Sequence, residues 1–440
     1  MSPPAGSLAG RRLHFVGIGG AGMSGLALVA HGLGAAVTGS DRAESPYVAR
    51  LREAGIEPVI GHAAGNVPPD AEVVVSTAIP PDNPERVVAR ERGQPERHRA
   101  DLLGELSGLR RCLAISGTHG KTTTTAMAVH ALRACGLDPA FFIGGELRDG
   151  ASAAWGTGEW VVVEADESDR SLLRLDPEIA VLTNLELDHH ATYASRLDLE
   201  ATVREFLGAA GQAVVWDRPE LLALREGPVV AFDVPAPTLD ATGSRFDWRG
   251  HSVALTVPGA HNALNAAAAL EACRLAGADE AVAVASLADF RGAGRRFERV
   301  GTTAAGAEVY DDYAHHPTEV AATLAAARTL GARRVVAVFQ PHLYSRTAAL
   351  WRDFGDALAA ADVPVVVEIY EARERAEDHP GISGRLVAEA TADAAGGATV
   401  GWLPRLEDAE AFLRAELREG DLCLTLGAGN VDVLARRLVG

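Results

Sequence analysis

Short apolar runs alternate with longer amphipathic stretches along most of the chain. The runs predict strands near residues 12–17, 35–40 and 72–76, then 112–116, 160–164 and 179–184, then 308–312, 333–339, 363–369, 399–403 and 421–426. Helical spacing fills most of the intervals. Strand, turn and amphipathic helix in repeated order predict an α/β architecture with mainly parallel sheets. Three blocks follow from the grouping: residues 1–107, 108–300 and 301–440. A stretch rich in Pro, Glu and Arg over 80–99 reads as a loop near the end of the first block. The segment 227–258, with Pro, Gly and short β-like runs, reads as a small antiparallel excursion within the second. The third block reads as a doubly wound unit. In open parallel sheets ligands gather beyond the carboxyl ends of strands, so residues just after predicted strands are the first candidates for chemistry.

Two glycine-rich turns stand in that position. The first is Gly17-Ile18-Gly19-Gly20-Ala21-Gly22, after the opening strand, with Asp41 at the end of the next. Its spacing is the dinucleotide fingerprint, which places a pyrophosphate on backbone N–H groups at a helix N-terminus. Alone it suggests an NAD enzyme. The second is Gly117-Thr118-His119-Gly120-Lys121-Thr122, between the strand Cys112–Ser116 and a helix reaching about Cys135. Here glycines let N–H groups crowd a phosphate, Lys121 reaches the β/γ-phosphates and the Thr122 hydroxyl can hold Mg²⁺. The general signature wants glycine where Ile115 stands, so Gly117 must take over part of the turn. A dehydrogenase has no use for this second loop.

Acidic and histidine residues follow the next two strands. Glu164 opens Glu164-Ala165-Asp166-Glu167-Ser168-Asp169, and His189 lies in Leu187-Asp188-His189-His190. If both strands neighbour the phosphate-loop strand, Glu164 and His189 can converge on a metal near the γ-phosphate, since Mg²⁺ wants hard oxygen ligands. Solvated loop faces and helix caps are the competing reading of these clusters. Asn262, in His261-Asn262-Ala263-Leu264-Asn265, opens an Ala-rich helix and can either read an adenine edge or cap that helix.

Composition sharpens the picture. The 440 residues carry 41 basic and 59 acidic side chains, a formal charge of −18. That balance argues against nucleic acid as a partner, because phosphate backbones select basic surfaces. Lys121 is the only lysine; arginine serves everywhere else as the surface cation. A lysine kept at one position points to a lysine-specific task there. The cysteines, Cys112, Cys135, Cys273 and Cys423, are dispersed without a CxxC pair, which fits a reduced, cytoplasmic setting. Leu13 to Val37 could pass for a signal or membrane span, but its many glycines make it a poor one.

Taken together these segments resemble the Mur ligase family. The resemblance runs in order over nearly the whole chain. It includes Gly17 to Gly25, the phosphate loop with Thr122-Thr123-Thr124, Glu164 to Asp169, Thr183-Asn184 to Tyr193 and His261 to Asn265. It continues through Gly294-Arg295-Arg296-Phe297-Glu298, Asp311 to Glu319 and Phe339-Gln340-Pro341-His342-Leu343-Tyr344-Ser345-Arg346-Thr347. The resemblance implies a Rossmann-like UDP-binding domain, a central P-loop ATPase domain and a C-terminal Rossmann-like domain. It implies ATP-driven amide bond formation through an acyl phosphate. It makes Gly117, Thr118, His119, Gly120, Lys121, Thr122, Thr123, Asn262, Arg296 and Asp312 the ATP site. Thr122, Glu164 and His189 become metal ligands or their neighbours, for Mg²⁺ with Mn²⁺ as an alternative. Gly19, Gly20, Ala21, Gly22, Ser24 and Asp41 would hold the UDP-sugar. Tyr313, His315, His342 and Arg346 would line an amino-acid pocket, where an arginine fork suits a carboxylate. Lys121, His189, Arg296 and His315 would carry the chemistry, His315 as candidate base for the amine.

Later-acting members of the family resemble one another in using a carbamylated lysine, a device this chain cannot build with Lys121 alone. That points to the alanine-adding branch, with UDP-N-acetylmuramic acid and L-alanine as substrates, no membrane span, and a monomer or homodimer. The alternative is a recycling member adding a murein tripeptide to the same UDP-sugar; its acidic motif resembles Glu-Ala-Asp-Glu-Tyr-Asp, whereas Ser168 stands here. Three positions depart from the family pattern. Ala191 replaces an aspartate, Ala314 a glycine and Leu343 an arginine.

Overall fold

The computed structural model describes residues 7–189 and 192–440, so His190 and Ala191 lie outside the described residues. The chain forms two compact units: Met1–Glu186 with Arg196–Phe232 and Ala268–Ala283, and Leu187–Ser195 with Asp233–Ala267 and Val284–Gly440.

The first unit contains two sheets. β1 (Arg12–Val16), β2 (Ala36–Asp41), β3 (Val59–Ile60), β4 (Glu72–Val75) and β5 (Glu96–His98) run in the order β3-β2-β1-β4-β5, with helices α1 (Ala21–Gly32), α2 (Pro46–Glu53), α3 (Pro84–Glu91) and α4 (Arg99–Ser107) between them. Every pairing is parallel. The strand order reverses at β1, so the turn after β1 sits at the switch point where such sheets bind ligands.

The stretch 80–99, expected as a loop, holds α3 and β5. The prolines and polar residues that suggested a loop are the start of a helix. The Asn83 side chain accepts a hydrogen bond from the Glu85 N–H and Pro84 occupies the first turn, where a missing N–H costs nothing.

The second sheet comprises β6 (Arg111–Ser116), β7 (Ala140–Phe142), β8 (Ala153–Ala154), β9 (Trp160–Glu164), β10 (Ile179–Leu182), β11 (Gln212–Trp216) and β12 (Val229–Phe232), in the order β12-β11-β10-β6-β9-β7-β8. Helices α5 (Lys121–Ala134), α6 (Arg196–Ala209) and the short α7 (Pro219–Leu222) belong to the same unit. β6 is flanked by β9 and β10, the neighbours on which the Glu164 and His189 expectation depended. β12 pairs parallel with β11, so the expected antiparallel excursion begins only after it.

In the second unit, β13 (Thr238–Asp240), β14 (Gly243–Trp248) and β15 (His251–Leu255) form that small antiparallel sheet. α8 (Ala260–Leu275) and α9 (Glu280–Ser286) follow in the chain, with Ala268–Ala283 belonging to the first unit. The last sheet has the order β16-β17-β21-β18-β19-β20, from β16 (Glu298–Thr302), β17 (Glu308–Asp312), β18 (Arg334–Phe339), β19 (Val363–Val366), β20 (Gly401–Trp402) and β21 (Asp421–Leu426). β16 pairs antiparallel with β17 and the others are parallel. This sheet thus begins at Glu298, ahead of the block boundary expected at 300/301. Helices α10 (Pro317–Thr329), α11 (Tyr344–Leu358) and α12 (Gly384–Ala394) place Val320, Leu324, Phe354, Leu358 and Val387 in one buried cluster with strand residues such as Phe339. Helices α13 (Leu406–Glu416) and α14 (Asp432–Val439) place Leu413, Leu434 and Leu438 in another, with Val336 and Val338. Alternate β18 residues feed the two clusters because strand side chains point to opposite faces. Among the described residues no helix is long and apolar enough to cross a membrane.

Candidate active site

The phosphate loop is built at the end of β6. Gly117 has φ +134° and Gly120 φ +80°, conformations that glycine adopts without steric penalty. A Cβ on Gly117 would lie 2.1 Å from Thr183 Oγ1, so the loop closes against the end of β10. That segment holds it from beneath. Asn184 Oδ1 accepts from the His119 N–H at 2.9 Å, the Thr183 hydroxyl donates to the His119 carbonyl at 2.7 Å, and the Thr118 hydroxyl donates to the Glu186 carbonyl at 2.9 Å. The first N–H groups of α5 have no partner within the helix and form, with its dipole, an anion-binding end.

Lys121 folds back along the loop. Its ammonium donates to the Gly117 carbonyl at 2.6 Å and lies 2.9 Å from Glu167, which is almost fully buried. Burial disfavours the charged amine, but Glu167, Asp166 and Glu164 outweigh it and raise the Lys121 pKa. Lys121 is therefore a stable cation. The Thr122 hydroxyl donates to Glu164 at 2.9 Å, and Glu164 also accepts the Gly144 N–H at 2.7 Å. Hydroxyl and carboxylate oxygens at this spacing beside a helix N-terminus are hard donors of the kind Mg²⁺ takes. Thr123 is buried in the first turn of α5.

The glycine turn after β1 belongs to the same unit. The Gly19 N–H donates to Asp41 at 2.8 Å, and a Cβ on Gly19 would lie 2.7 Å from Val48 and 2.9 Å from Asp41. Asp41 thus buttresses the turn. Gly20 precedes α1, Ala21 and Gly22 open it, and the Ser24 hydroxyl donates to the Ala21 carbonyl at 3.0 Å.

In the second unit, Tyr313, His315, His342 and Arg346 come together. The Tyr313 and His315 rings lie 5.3 Å apart, His315 and His342 6.2 Å. Arg346 Nη1 is 3.2 Å from His342 Nδ1. The His315 Nδ1 lies 2.9 Å from the Tyr313 carbonyl, so it is the donor there and Nε2 keeps its lone pair. Burial pushes the His315 imidazole down to about 3, with Glu319 offsetting only part of this. Burial, reinforced by the Arg346 charge, pushes His342 down to about 4. Both are neutral at neutral pH. Arg296 stacks 5.0 Å from the Tyr313 ring centre. Burial raises the Asp312 carboxyl to about 6 although Arg296 pulls it down. Its oxygens accept from the Phe297 and Ala314 N–H groups at 2.8 and 2.7 Å, so Asp312 fixes the approach of the Arg296 segment to β17. His189 adopts φ +55°.

One local expectation changes. The Asn262 side chain does not cap its helix: α8 starts at Ala260, and Asn262 Nδ2 donates to the Pro258 carbonyl at 2.7 Å. The cap at Pro317 is made by His316, whose Nδ1 accepts the Thr318 N–H.

Sequence reasoning also passed over three charged partners. Glu167 holds Lys121, Glu319 accepts the His315 N–H at 2.9 Å, and Asp188 is paired with Arg346. All three lay inside the motif segments, but spacing alone gives no partner across distant stretches of chain.

Comparison with known proteins identifies the lineage. Three family models match: the Mur ligase family catalytic domain over residues 12–111, the Mur ligase middle domain over 115–273 and the Mur ligase glutamate ligase domain over 295–429. A UDP-N-acetylmuramate–L-alanine ligase of Acidithiobacillus ferrooxidans is 47% identical, covering 97% of this chain and 96% of its own. One from Rubrobacter xylanophilus is 43% identical, covering 97% and 99%. The crystal structure of the UDP-N-acetylmuramate–alanine ligase of Thermotoga maritima superposes with a TM-score of 0.84 at 29% identity, covering 97% of this chain and 98% of that one. With its parallel sheets, its phosphate loop and full-length relatives at this identity, the chain belongs to the Mur ligase family.

Proposed function

We propose that this protein is an enzyme that uses ATP to join L-alanine to the lactyl carboxylate of UDP-N-acetylmuramic acid, a step of peptidoglycan precursor synthesis. The observation that carries the reading is the phosphate loop bearing the chain's only lysine beside the Thr122–Glu164 pair, in a chain whose relatives are alanine-adding ligases over nearly their full length. ATP and UDP-N-acetylmuramic acid are made inside the cell, so the reading places the enzyme in the cytoplasm.

Phosphoryl transfer depends on positioning and charge neutralisation more than on covalent help. In this reading Lys121 and the first N–H groups of α5 bind the phosphates of ATP, with Gly117, Thr118, His119, Gly120 and Thr123 shaping the loop. Thr122 and Glu164 would hold Mg²⁺, which when bound would offset charge on the transferring phosphoryl group. Asn262, Arg296 and Asp312 serve the nucleotide. Gly19, Gly20, Ala21, Gly22 and Ser24 receive the UDP-sugar phosphates, with Asp41 bracing the turn. The substrate carboxylate becomes an acyl phosphate, the alanine amine attacks its carbonyl carbon, and phosphate leaves. Tyr313, His315, His342 and Arg346 receive the amino acid.

His315 can accept a hydrogen bond from the amine at Nε2. Its depressed pKa of about 3 makes it a poor final proton acceptor for the alanine ammonium group. We therefore assign it to orienting the amine.

The test is phosphate release by the purified protein with ATP, Mg²⁺ and UDP-N-acetylmuramic acid across a panel of amino acids and the murein tripeptide. Turnover with L-alanine well above glycine, serine and tripeptide is expected. Turnover with tripeptide alone would transfer the assignment to a recycling ligase.

A further inference from the structure

Asp188 and Arg346 form a buried two-pronged pair within the second unit. Arg346 Nε donates to Asp188 Oδ1 at 3.1 Å and Nη2 to Oδ2 at 3.0 Å, and both side chains are only 5% exposed. The residues are 158 positions apart in sequence. Asp188 Oδ1 also accepts the His189 N–H at 2.7 Å. On the other side of the guanidinium, Nη1 reaches His342 Nδ1. The neutral His342 ring in turn stacks on Tyr370, with ring centres 5.8 Å apart. Thr347, one residue further along α11, bonds back to the Leu343 carbonyl at 2.8 Å. The arginine is therefore gripped at both ends of its head group.

A guanidinium carries five N–H donors in a rigid planar fork. Asp188 occupies the side-on edge, Nε and Nη2. Nη1 also reaches His342. The end-on edge, formed by one hydrogen on each of Nη1 and Nη2, is the second edge with which a guanidinium can take a carboxylate bidentately. We propose that Asp188 is a positioning residue: it locks the Arg346 side chain so that its end-on edge is presented to the carboxylate of the incoming amino acid. The inference rests on the reading that Arg346 receives the amino acid.

Two physical consequences support it. A lone guanidinium this deeply buried is strongly unfavourable, and a paired carboxylate makes its burial tenable. Alanine is a zwitterion without a long side chain. Nearly all of its recognition must come from its two charged ends, and an arginine free to sample several rotamers would lose entropy on every binding event.

The test is steady-state kinetics on the full-length protein carrying Asp188→Asn, Arg346→Ala, and both. Asp188→Asn is expected to raise the KM for L-alanine roughly ten- to hundredfold, the loss of one charge-assisted hydrogen bond. KM for ATP and the Mg²⁺ requirement should stay within about twofold, since the proposal routes the effect through Arg346 alone. Arg346→Ala should raise the same KM, and the double variant should be no worse than Arg346→Ala, because one residue acts through the other.

An unchanged KM in Arg346→Ala would overturn the reading of Arg346 itself. A raised KM there with an unchanged KM in Asp188→Asn would overturn the positioning role alone. Additive effects, or a shifted Mg²⁺ requirement in Asp188→Asn, would place Asp188 at the metal instead. A merely structural pair would lower the active fraction and leave the KM of the remaining enzyme unaltered. Should Asp188→Asn fail to fold, Asp188→Glu retains the charge but displaces the fork. It is then expected to raise the L-alanine KM with folding intact, and an unchanged KM there would equally overturn the proposal.

Discussion

The Lys121 ammonium lies 2.9 Å from the Glu167 carboxylate, while its other contacts are the carbonyls of Gly117 and Thr118 in its own loop. The cation is thus laid along the loop it serves, and the acidic partners around it keep it protonated. Replacing it by alanine removes the only lysine of the chain. Lys121→Ala is expected to lower ATP-dependent phosphate release at least about 100-fold, the scale of losing one preorganised donor to transition-state charge. Calorimetric binding of UDP-N-acetylmuramic acid should remain, since the glycine turn after β1 is a separate structure. Retained turnover would remove the proposed mechanism.

Glu164 sits between two donors, the Thr122 hydroxyl and the Gly144 N–H. Glutamine at this position keeps an acceptor oxygen but loses the charge a divalent cation requires. Glu164→Gln is expected to raise the Mg²⁺ concentration for half-maximal phosphate release by at least about tenfold, the lower end of what perturbing a metal's ligand shell costs. Melting temperature, measured beside the Mg²⁺ titration, should move little. A loss of rate that saturating Mg²⁺ cannot mend, with the requirement unshifted, would take Glu164 away from the metal.

Gly117 gives a steric test of the loop itself. Its φ of +134° is unfavourable for any side chain, and an added Cβ would lie 2.1 Å from Thr183 Oγ1 and 3.0 Å from the Asn184 carbonyl. Neither neighbour can retreat cheaply, since Thr183 also holds the His119 carbonyl. The loop must shift, and displacement of about 1 Å in a positioning element can cost on the order of 100-fold in rate. Gly117→Ala should therefore reduce phosphate release on that scale, with secondary structure by circular dichroism unchanged. Wild-type rates in that variant would show that the loop does not cradle the phosphates.

What the sequence reveals and what it hides follow a physical division. The turns after β1 and β6 were legible because glycine and lysine are forced there by backbone conformation and charge. The strands around β1, β6 and β18 at the centres of the three large sheets were legible because buried parallel strands are apolar on both faces, whereas β3, β5, β7, β8, β11 and β16 were not read. Asn83 and Pro84 misled because capping residues and loop residues have the same composition, and only the buried Glu85 behind them marks a helix. β12 was read as antiparallel since a short edge strand carries no signal of its direction. The pairs Asp188–Arg346 and Lys121–Glu167 were hidden for another reason. Each joins stretches brought together only by the fold, and no local period predicts which carboxylate an arginine or lysine will meet.

Glu85 shows how far such a hidden group can reach. It is fully buried in α3 and takes hydrogen bonds from Ser40 Oγ at 2.5 Å, Asn66 Nδ2 at 2.6 Å and the Ala63 N–H at 3.1 Å, with His14 Nε2 at 3.4 Å. Burial alone would raise its pKa, but the bonds from His14, Ser40, Asn66 and Ala63 outweigh burial and bring it down to about 2 from an ordinary 4.5. A depressed carboxyl stabilises the fold above its unfolded value, and that contribution drains away as the pH falls from about 4.5 towards 2. The shift corresponds to about 3 kcal/mol at neutral pH. Glu85→Gln should therefore lose about that much stability at pH 7 in urea unfolding. The deficit against wild type should shrink steadily below pH 4.5. Ser40 precedes Asp41, which braces Gly19, so the same variant should also weaken UDP-sugar binding at pH 7 while phosphate-loop chemistry keeps its Mg²⁺ and ATP dependence. A deficit that stayed constant from pH 7 to pH 3 would show that the charge on Glu85 is not what holds this corner of the first sheet.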